Sequence, residues 1–203
     1  MKKACILLAS PRKQGNTAAL TAPFAAELEK LGWSCRTVWL YDLEVRPCRA
    51  CRVCQQDWTV FGCPQNDDMQ EIFNSVLACD LLVLATPIYS WYCTPPMKAV
   101  LDRLVYGMNK YYGREKGPSL WEDKPVALIA TCGYPVEKGA DLWEAGMQRY
   151  CKHSRLRHRW ARCSRRSISA PATCGSRYSC TGPWTLPLCS SAGCTAPPAW
   201  PRA

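Results

Sequence analysis

Residues 10–17 read SPRKQGNT, directly behind the apolar run ACILLA at 4–9 and directly before AALTAPFAAELEKL at 18–31. The apolar run predicts a buried strand, and the spacing that follows predicts a helix over 17–31. Between them the turn collects Ser10, Arg12, Gln14, Gly15, Asn16 and Thr17. Ser10, Asn16 and Thr17 offer side-chain hydrogen bonds, and Gly15 lets the backbone approach closely. Free N–H groups at the start of the following helix complete a cradle for an anion. Arg12 adds a charge-assisted contact and Gln14 an amide donor. A plain N-capped turn with a solvated basic tip is the alternative. The stretch is neither GxxxxGK[ST], because no Lys follows Gly15, nor GxGxxG, so a monophosphate ester is the better fit.

Working outward, LLVLAT at 81–86 and PVALIAT at 125–131 are further apolar runs of the kind expected for parallel strands covered on both faces, and RTVWL at 36–40 is a weaker one. Helical spacing returns at 67–78, 96–105 and 140–151, the first of these opening on acids that suit a helix N-terminus. This alternation predicts an α/β fold, an open doubly wound parallel sheet, in which ligands bind beyond the carboxyl ends of the strands. That rule selects two further turns. PIYSWYCTPP at 87–96 places Tyr89, Trp91 and Tyr92 where a buried strand ends, and CGYPVEKGADLW follows the strand at 125–131. Aromatic rings beside exposed backbone groups suit a planar heterocycle with polar edges; hydrophobic packing is the alternative reading.

The net charge of +10 is unevenly placed. Residues 1–150 hold 17 Lys/Arg against 16 Asp/Glu, whereas residues 151–203 hold nine and none. That last segment also has six Cys, six Pro and eight Ser with only four Leu/Ile, and it shows no period of 2 or 3.6. Such a composition predicts a domain over 1–157 and a basic, irregular, Cys/Pro/Ser-rich tail over 158–203 that builds no core. A frameshift near 157–159 is the favoured origin of that tail; a disordered basic arm for nucleic acid is the rival. No run is apolar enough for a spanning helix and the N-terminus makes a poor signal peptide, which predicts a cytoplasmic protein without membrane contact.

Of the 15 cysteines, Cys48, Cys51, Cys54 and Cys63 are spaced C-x2-C-x2-C-x8-C. Such a set could hold a [4Fe-4S] cluster or, ranked lower, Zn. Cys5, Cys35 and Cys79 lie on strand or helix patterns and read as small core residues.

Taken together, SPRKQGNT, PCRACRVC, GCPQNDDM, ATPIYSWYCTPPMKAVLDR and TCGY resemble the NADPH-dependent FMN reductase and iron-sulfur flavoprotein group of the flavodoxin-like superfamily, from about Lys3 to about Arg157. The resemblance implies a flavodoxin-like sheet in the order 2-1-3-4-5. Strand 5 and the last helix would be missing or replaced by the irregular tail. It implies FMN with its phosphate at Ser10, Arg12, Gln14, Gly15, Asn16 and Thr17. The isoalloxazine would lie against Pro87, Ile88, Tyr89, Ser90 and Trp91, bordered by Thr131, Cys132, Gly133 and Tyr134. In the iron-sulfur flavoproteins a compact four-cysteine motif binds a cluster. The final x8 spacing here is longer than expected for that motif, so a structural or redox-active thiol loop ranks above a cluster.

The implied activity is an NAD(P)H-dependent oxidoreductase passing electrons through FMN to a small acceptor such as a quinone or free flavin, as a homodimer. The flavin carries the hydride chemistry, so no catalytic side chain is expected. Two other classes compete: an FMN electron-transfer protein without nicotinamide turnover, and a nucleic-acid- or metal-binding module built on the tail.

Overall fold

The computed structural model describes residues 1–158 together with 162–165 and 178–181. Strands β1 (Lys2–Leu8), β2 (Trp33–Trp39), β3 (Leu81–Pro87), β4 (Pro125–Thr131) and β5 (Arg157–His158) form one parallel sheet in the order β2-β1-β3-β4-β5. The intervening helices are α1 (Asn16–Lys30), α2 (Met69–Ala78), α3 (Pro95–Met108), α4 (Val136–Gly139) and α5 (Asp141–His153). This is the flavodoxin-like order expected from the sequence.

The apolar strand runs are continuous because both faces are covered, and their period of two divides them between two cores. Cys5 and Leu7 of β1 with Leu82 and Leu84 of β3 face a large cluster. Phe73 and Val76 of α2, Val100 and Leu104 of α3, and Trp143 and Met147 of α5 complete it. Ile6 and Leu8 with Val83 and Ala85 face the opposite way, where Phe24 and Ala25 of α1 and Ile129 of β4 pack against them. Three helices cover one face and α1 the other, so the second cluster is the smaller.

The fifth position of the sheet is filled by two residues only, Pro125 pairing Arg157 and Val126 pairing His158. The expected boundary after residue 157 therefore cuts a rudimentary strand. Among the described residues, 127–131 of β4 have a strand partner on the β3 side alone, and β4 has one fully buried residue where β1 has five. The tail, expected to be irregular, holds one regular feature: β6 (Arg162–Arg165) and β7 (Tyr178–Thr181) pair antiparallel in a separate two-stranded sheet. A ladder of backbone bonds requires no apolar alternation, which is why the sequence pattern carries no sign of it. The frameshift and nucleic-acid readings of the tail otherwise fall on 159–161, 166–177 and 182–203, outside the described residues.

No described helix is long and apolar enough to cross a membrane.

Candidate functional site

Three turns meet at the carboxyl ends of β1, β3 and β4, and three hydrogen bonds tie them together. Thr94, before α3, donates its hydroxyl to the Ala9 carbonyl at 3.0 Å. The Thr17 and Thr131 hydroxyls meet at 2.8 Å, 114 residues apart in sequence. The Ile88 amide donates to the Thr131 carbonyl at 2.7 Å. Thr86, also buried, accepts the Thr94 amide at 3.2 Å. Each bond joins a different pair of turns except the last, which closes the second turn on itself.

In the first turn Ser10 is buried, its hydroxyl accepting the Arg12 amide at 3.3 Å, so it shapes the loop from inside. Thr17 is buried as well and its hydroxyl serves Thr131. Arg12, Gln14 and Asn16 are exposed. Among the described residues the start of α1 has no side-chain cap, its first turn has no acid, and the amides of Asn16, Thr17 and Ala18 find no acceptor. An uncapped helix start of this kind favours an anion. Gly15 is required by space: a Cβ there would lie 3.0 Å from the Arg12 Cβ and 3.2 Å from the Arg12 carbonyl oxygen. Lys13 turns away from the cradle, pairing with Asp42 and lying 4.1 Å from the centre of the Trp39 ring.

The second turn is a tight hairpin. Tyr89 and Tyr92 exchange backbone hydrogen bonds of 2.8 and 3.0 Å, and Ser90 and Trp91 between them have φ of +49° and +63°. Left-handed backbone at two non-glycine residues in succession is strained, by about 1 kcal/mol or more each. Its effect is to push Trp91 outward, where it stacks on Tyr134 of the third turn with centroids 6.0 Å apart and planes at 14°. Trp91 is 49% and Tyr134 62% exposed, so this pair forms an open aromatic shelf beside the cradle. Tyr89 is also exposed. Tyr92, grouped with them from the sequence, packs edge-on against Trp143 in the core instead.

Pro87 and Ile88 are half-buried at the end of β3, and Gly133 is exposed. Cys132 donates to the Tyr134 carbonyl at 3.2 Å and serves the loop's own packing. Burial pushes the neighbouring Cys93 thiol up to about 12.

The thiol loop follows β2. Cys48, Cys51, Cys54 and Cys63 line one small cavity of about 20 Å³, with Arg103 in its wall. Among the described residues no three His, Cys, Asp or Glu side chains converge on one point as a single metal ion requires, which leaves the Zn reading without support. Four cysteines lining one cavity match in kind the ligand set of a polynuclear iron-sulfur group, whose iron atoms each take one cysteine sulfur, or a loop of free thiols.

Two buried cations from α3 and its C-terminal end hold this loop, and the sequence reading passed over both. Lys110 has no exposed surface and donates to the carbonyls of Cys54 at 2.7 Å, Val60 at 2.6 Å and Phe61 at 3.4 Å. Burial lowers its pKa, opposed by Cys54 and Asp57. Arg103 pairs with Asp67 at 2.5 Å, both side chains fully enclosed. Burial pushes the Asp67 carboxyl up, but hydrogen bonds from Arg103 and from the Arg46 and Met69 amides outweigh it and hold the carboxyl below its usual range. The available signal was a charge on an apolar stripe, since Arg103 falls between Val100 and Gly107 at helical spacing.

The family model for NADPH-dependent FMN reductase matches residues 2–140. An iron-sulfur flavoprotein of Archaeoglobus fulgidus is 34% identical over 136 residues, 66% of this chain and 58% of that protein. An iron-sulfur flavoprotein of Methanosarcina thermophila is 34% identical over 104 residues, covering 51% and 52%. The chain thus spans between half and three-fifths of the length of these two relatives. Among solved structures, an azoreductase from Bacillus anthracis superposes with a TM-score of 0.61 at 16% identity over 79% of this chain and 85% of that one. The NAD(P)H:quinone oxidoreductase from Methanothermobacter marburgensis gives 0.57 at 18% identity, over 78% and 83%. At such identities these two likenesses show the fold.

Proposed function

The chain belongs to the NADPH-dependent FMN reductase family, and we propose that it is an FMN-dependent oxidoreductase taking electrons from NADH or NADPH and passing them to a small acceptor such as a quinone or free flavin. One observation carries this reading: the three turns are stitched into a single rim around an uncapped helix N-terminus and an exposed aromatic shelf. The residues fit a flavin mononucleotide in kind, with free amides and a cation for its phosphate, and backbone groups and rings for its flat head.

Bound FMN supplies the hydride chemistry. The chain's own work is binding and orientation. The amides of Asn16, Thr17 and Ala18 receive the phosphate, with Arg12, Gln14 and the Asn16 side chain around it and Ser10 and Gly15 shaping the loop. Pro87, Ile88, Tyr89, Ser90 and Trp91 would lie against the ring system, and Thr131, Cys132, Gly133 and Tyr134 would border it. The Trp91 and Tyr134 shelf stays open to planar donors and acceptors in turn. A homodimer in the cytoplasm is part of the proposal.

The test is reconstitution of the full chain with FMN, followed by gel filtration and steady-state oxidation of NADPH and NADH with a soluble quinone. Retained yellow colour and turnover support the reading. A chain that stays colourless in excess FMN overturns it.

A second reading is favoured by the four thiols around one cavity: an iron-sulfur flavoprotein in which a [4Fe-4S] group feeds the flavin, with or without nicotinamide turnover. Iron and acid-labile sulfide measured on anaerobically prepared protein separate it from a loop of free thiols.

A further inference from the structure

The C-x8-C spacing would carry Cys63 away from the other three thiols were the loop extended, yet all four line the same cavity. The chain folds back to achieve this. Phe61 is buried and stacks on Phe73 at 4.7 Å, and Gly62 takes φ of +66° so closely against the loop that a Cβ would stand 3.3 Å from the Cys54 Cα. That reversal returns residue 63 to the cavity, and Arg103 meets it there. Its Nη2 donates to the Cys63 Sγ at 3.2 Å while Nη1 donates to Asp67 at 2.5 Å and to the Arg46 carbonyl at 3.3 Å.

A guanidinium serving only a carboxylate would turn its fork on both oxygens. Here the fork is divided, one nitrogen on the carboxylate and one on sulfur, and the buried Nε has no partner among the described residues. Two further sulfurs face N–H donors, Cys48 the Ala50 amide at 3.4 Å and Cys54 the Gln55 side-chain amide at 3.9 Å. A thiol sulfur is a weak acceptor, so donors arranged in this way act most strongly on sulfurs that carry negative charge as ligands. Positive charge at Arg103 and Lys110 offsets the charge of such a ligand set.

We infer that Arg103, clamped by Asp67, is the positioning residue that presents Cys63 as the fourth sulfur ligand of the thiol pocket. The inference rests on the iron-sulfur reading of that pocket. Outer partners of metal ligands act by fixing their orientation, and their loss weakens metal retention by about tenfold or more.

The experiment uses the full chain, prepared anaerobically and reconstituted with ferrous iron and sulfide, as wild type, Arg103→Lys, Arg103→Met and Cys63→Ser. Bound FMN monitors folding in each. Arg103→Lys keeps a cation beside Asp67 and so remains foldable, but loses the fork that reaches sulfur. We expect it to retain iron about tenfold less well against a chelator, approaching Cys63→Ser, with FMN content unchanged. Arg103→Met, where it folds, should also shift the iron-sulfur midpoint potential downward, because it removes a hydrogen-bond donor and a positive charge from the sulfur. A wild type that holds iron, beside an Arg103→Lys variant with the same iron retention and potential, overturns the inference alone. A wild type that takes up no iron overturns the iron-sulfur reading and the inference with it.

Discussion

The turns at the ends of β1, β3 and β4 leave backbone donors free and aromatic surface exposed, whereas the thiol loop saturates its carbonyls with buried cations. At the first site the start of α1 is uncapped and Trp91 and Tyr134 stand in solvent. At the second, Lys110 satisfies three carbonyls and Arg103 a carboxylate, a carbonyl and a sulfur, and both cations are themselves buried. The difference teaches where each region draws its order. The thiol loop is held by the protein itself, with its strained residues Ala50 and Arg52 carried by the surrounding bonds. The three turns are joined at their bases but keep their tips unsatisfied, which is the condition of a surface prepared for a ligand.

The comparison breaks most severely if the thiol loop is loosened. Asp67→Ala strands the Arg103 guanidinium without its counter-ion and should destabilise the domain by about 3–5 kcal/mol, read as a fall in urea midpoint at neutral pH. The folded carboxyl titrates below its ordinary 3.8, so its contribution is present above that pH and is lost as pH falls through the folded value. Asp67→Ala should therefore flatten the acid limb of the stability profile, and an unchanged limb would remove Asp67 from this role.

A smaller effect is expected at Lys110. Replacement by Met leaves three carbonyls without their donor, for a loss of about 1–3 kcal/mol by the same measurement at neutral pH. Because the folded amine titrates below 10.5, the unfolded chain binds the extra proton between the folded value and 10.5. Wild-type stability accordingly rises with pH across that interval, and Lys110→Met should abolish the rise.

The smallest change sharpens the contrast at the other site. Asn16→Ala removes an exposed side chain at the cradle and should leave the unfolding free energy from urea titration within about 0.5 kcal/mol of wild type, as surface changes do. FMN binding, followed by quenching of flavin fluorescence, should weaken by about 1 kcal/mol. Equal affinity in the two proteins would take the Asn16 side chain out of the phosphate contact.

The main strands, the helices and the identity of the three turns were legible from residues 1–150 because burial on two faces writes continuous apolar runs and burial on one writes a helical period. The turn residues themselves were legible because glycine, amides and hydroxyls concentrate where a chain bends tightly between a strand and a helix. Which of those polar side chains face inward was not: Ser10, Thr17 and Asn16 are all small polar turn residues in sequence, yet the first two are buried and the third exposed. Tyr92 was indistinguishable from Trp91 until the left-handed hairpin sent one ring into the core and the other outward.

The sequence by itself determined the alternation of strand and helix, the set of four cysteines and the charge break at the tail, since each is written in local composition or spacing; the sheet order came from the family resemblance. Only the tertiary structure decided that Thr94 reaches Ala9, that Thr17 reaches Thr131, and that Arg103 and Lys110 close on the thiol loop. These contacts join residues 40 to 114 positions apart, and no local pattern records them. They exist because a buried donor or acceptor must find a partner inside the fold, and which partner lies within reach is set by how the strands and helices pack.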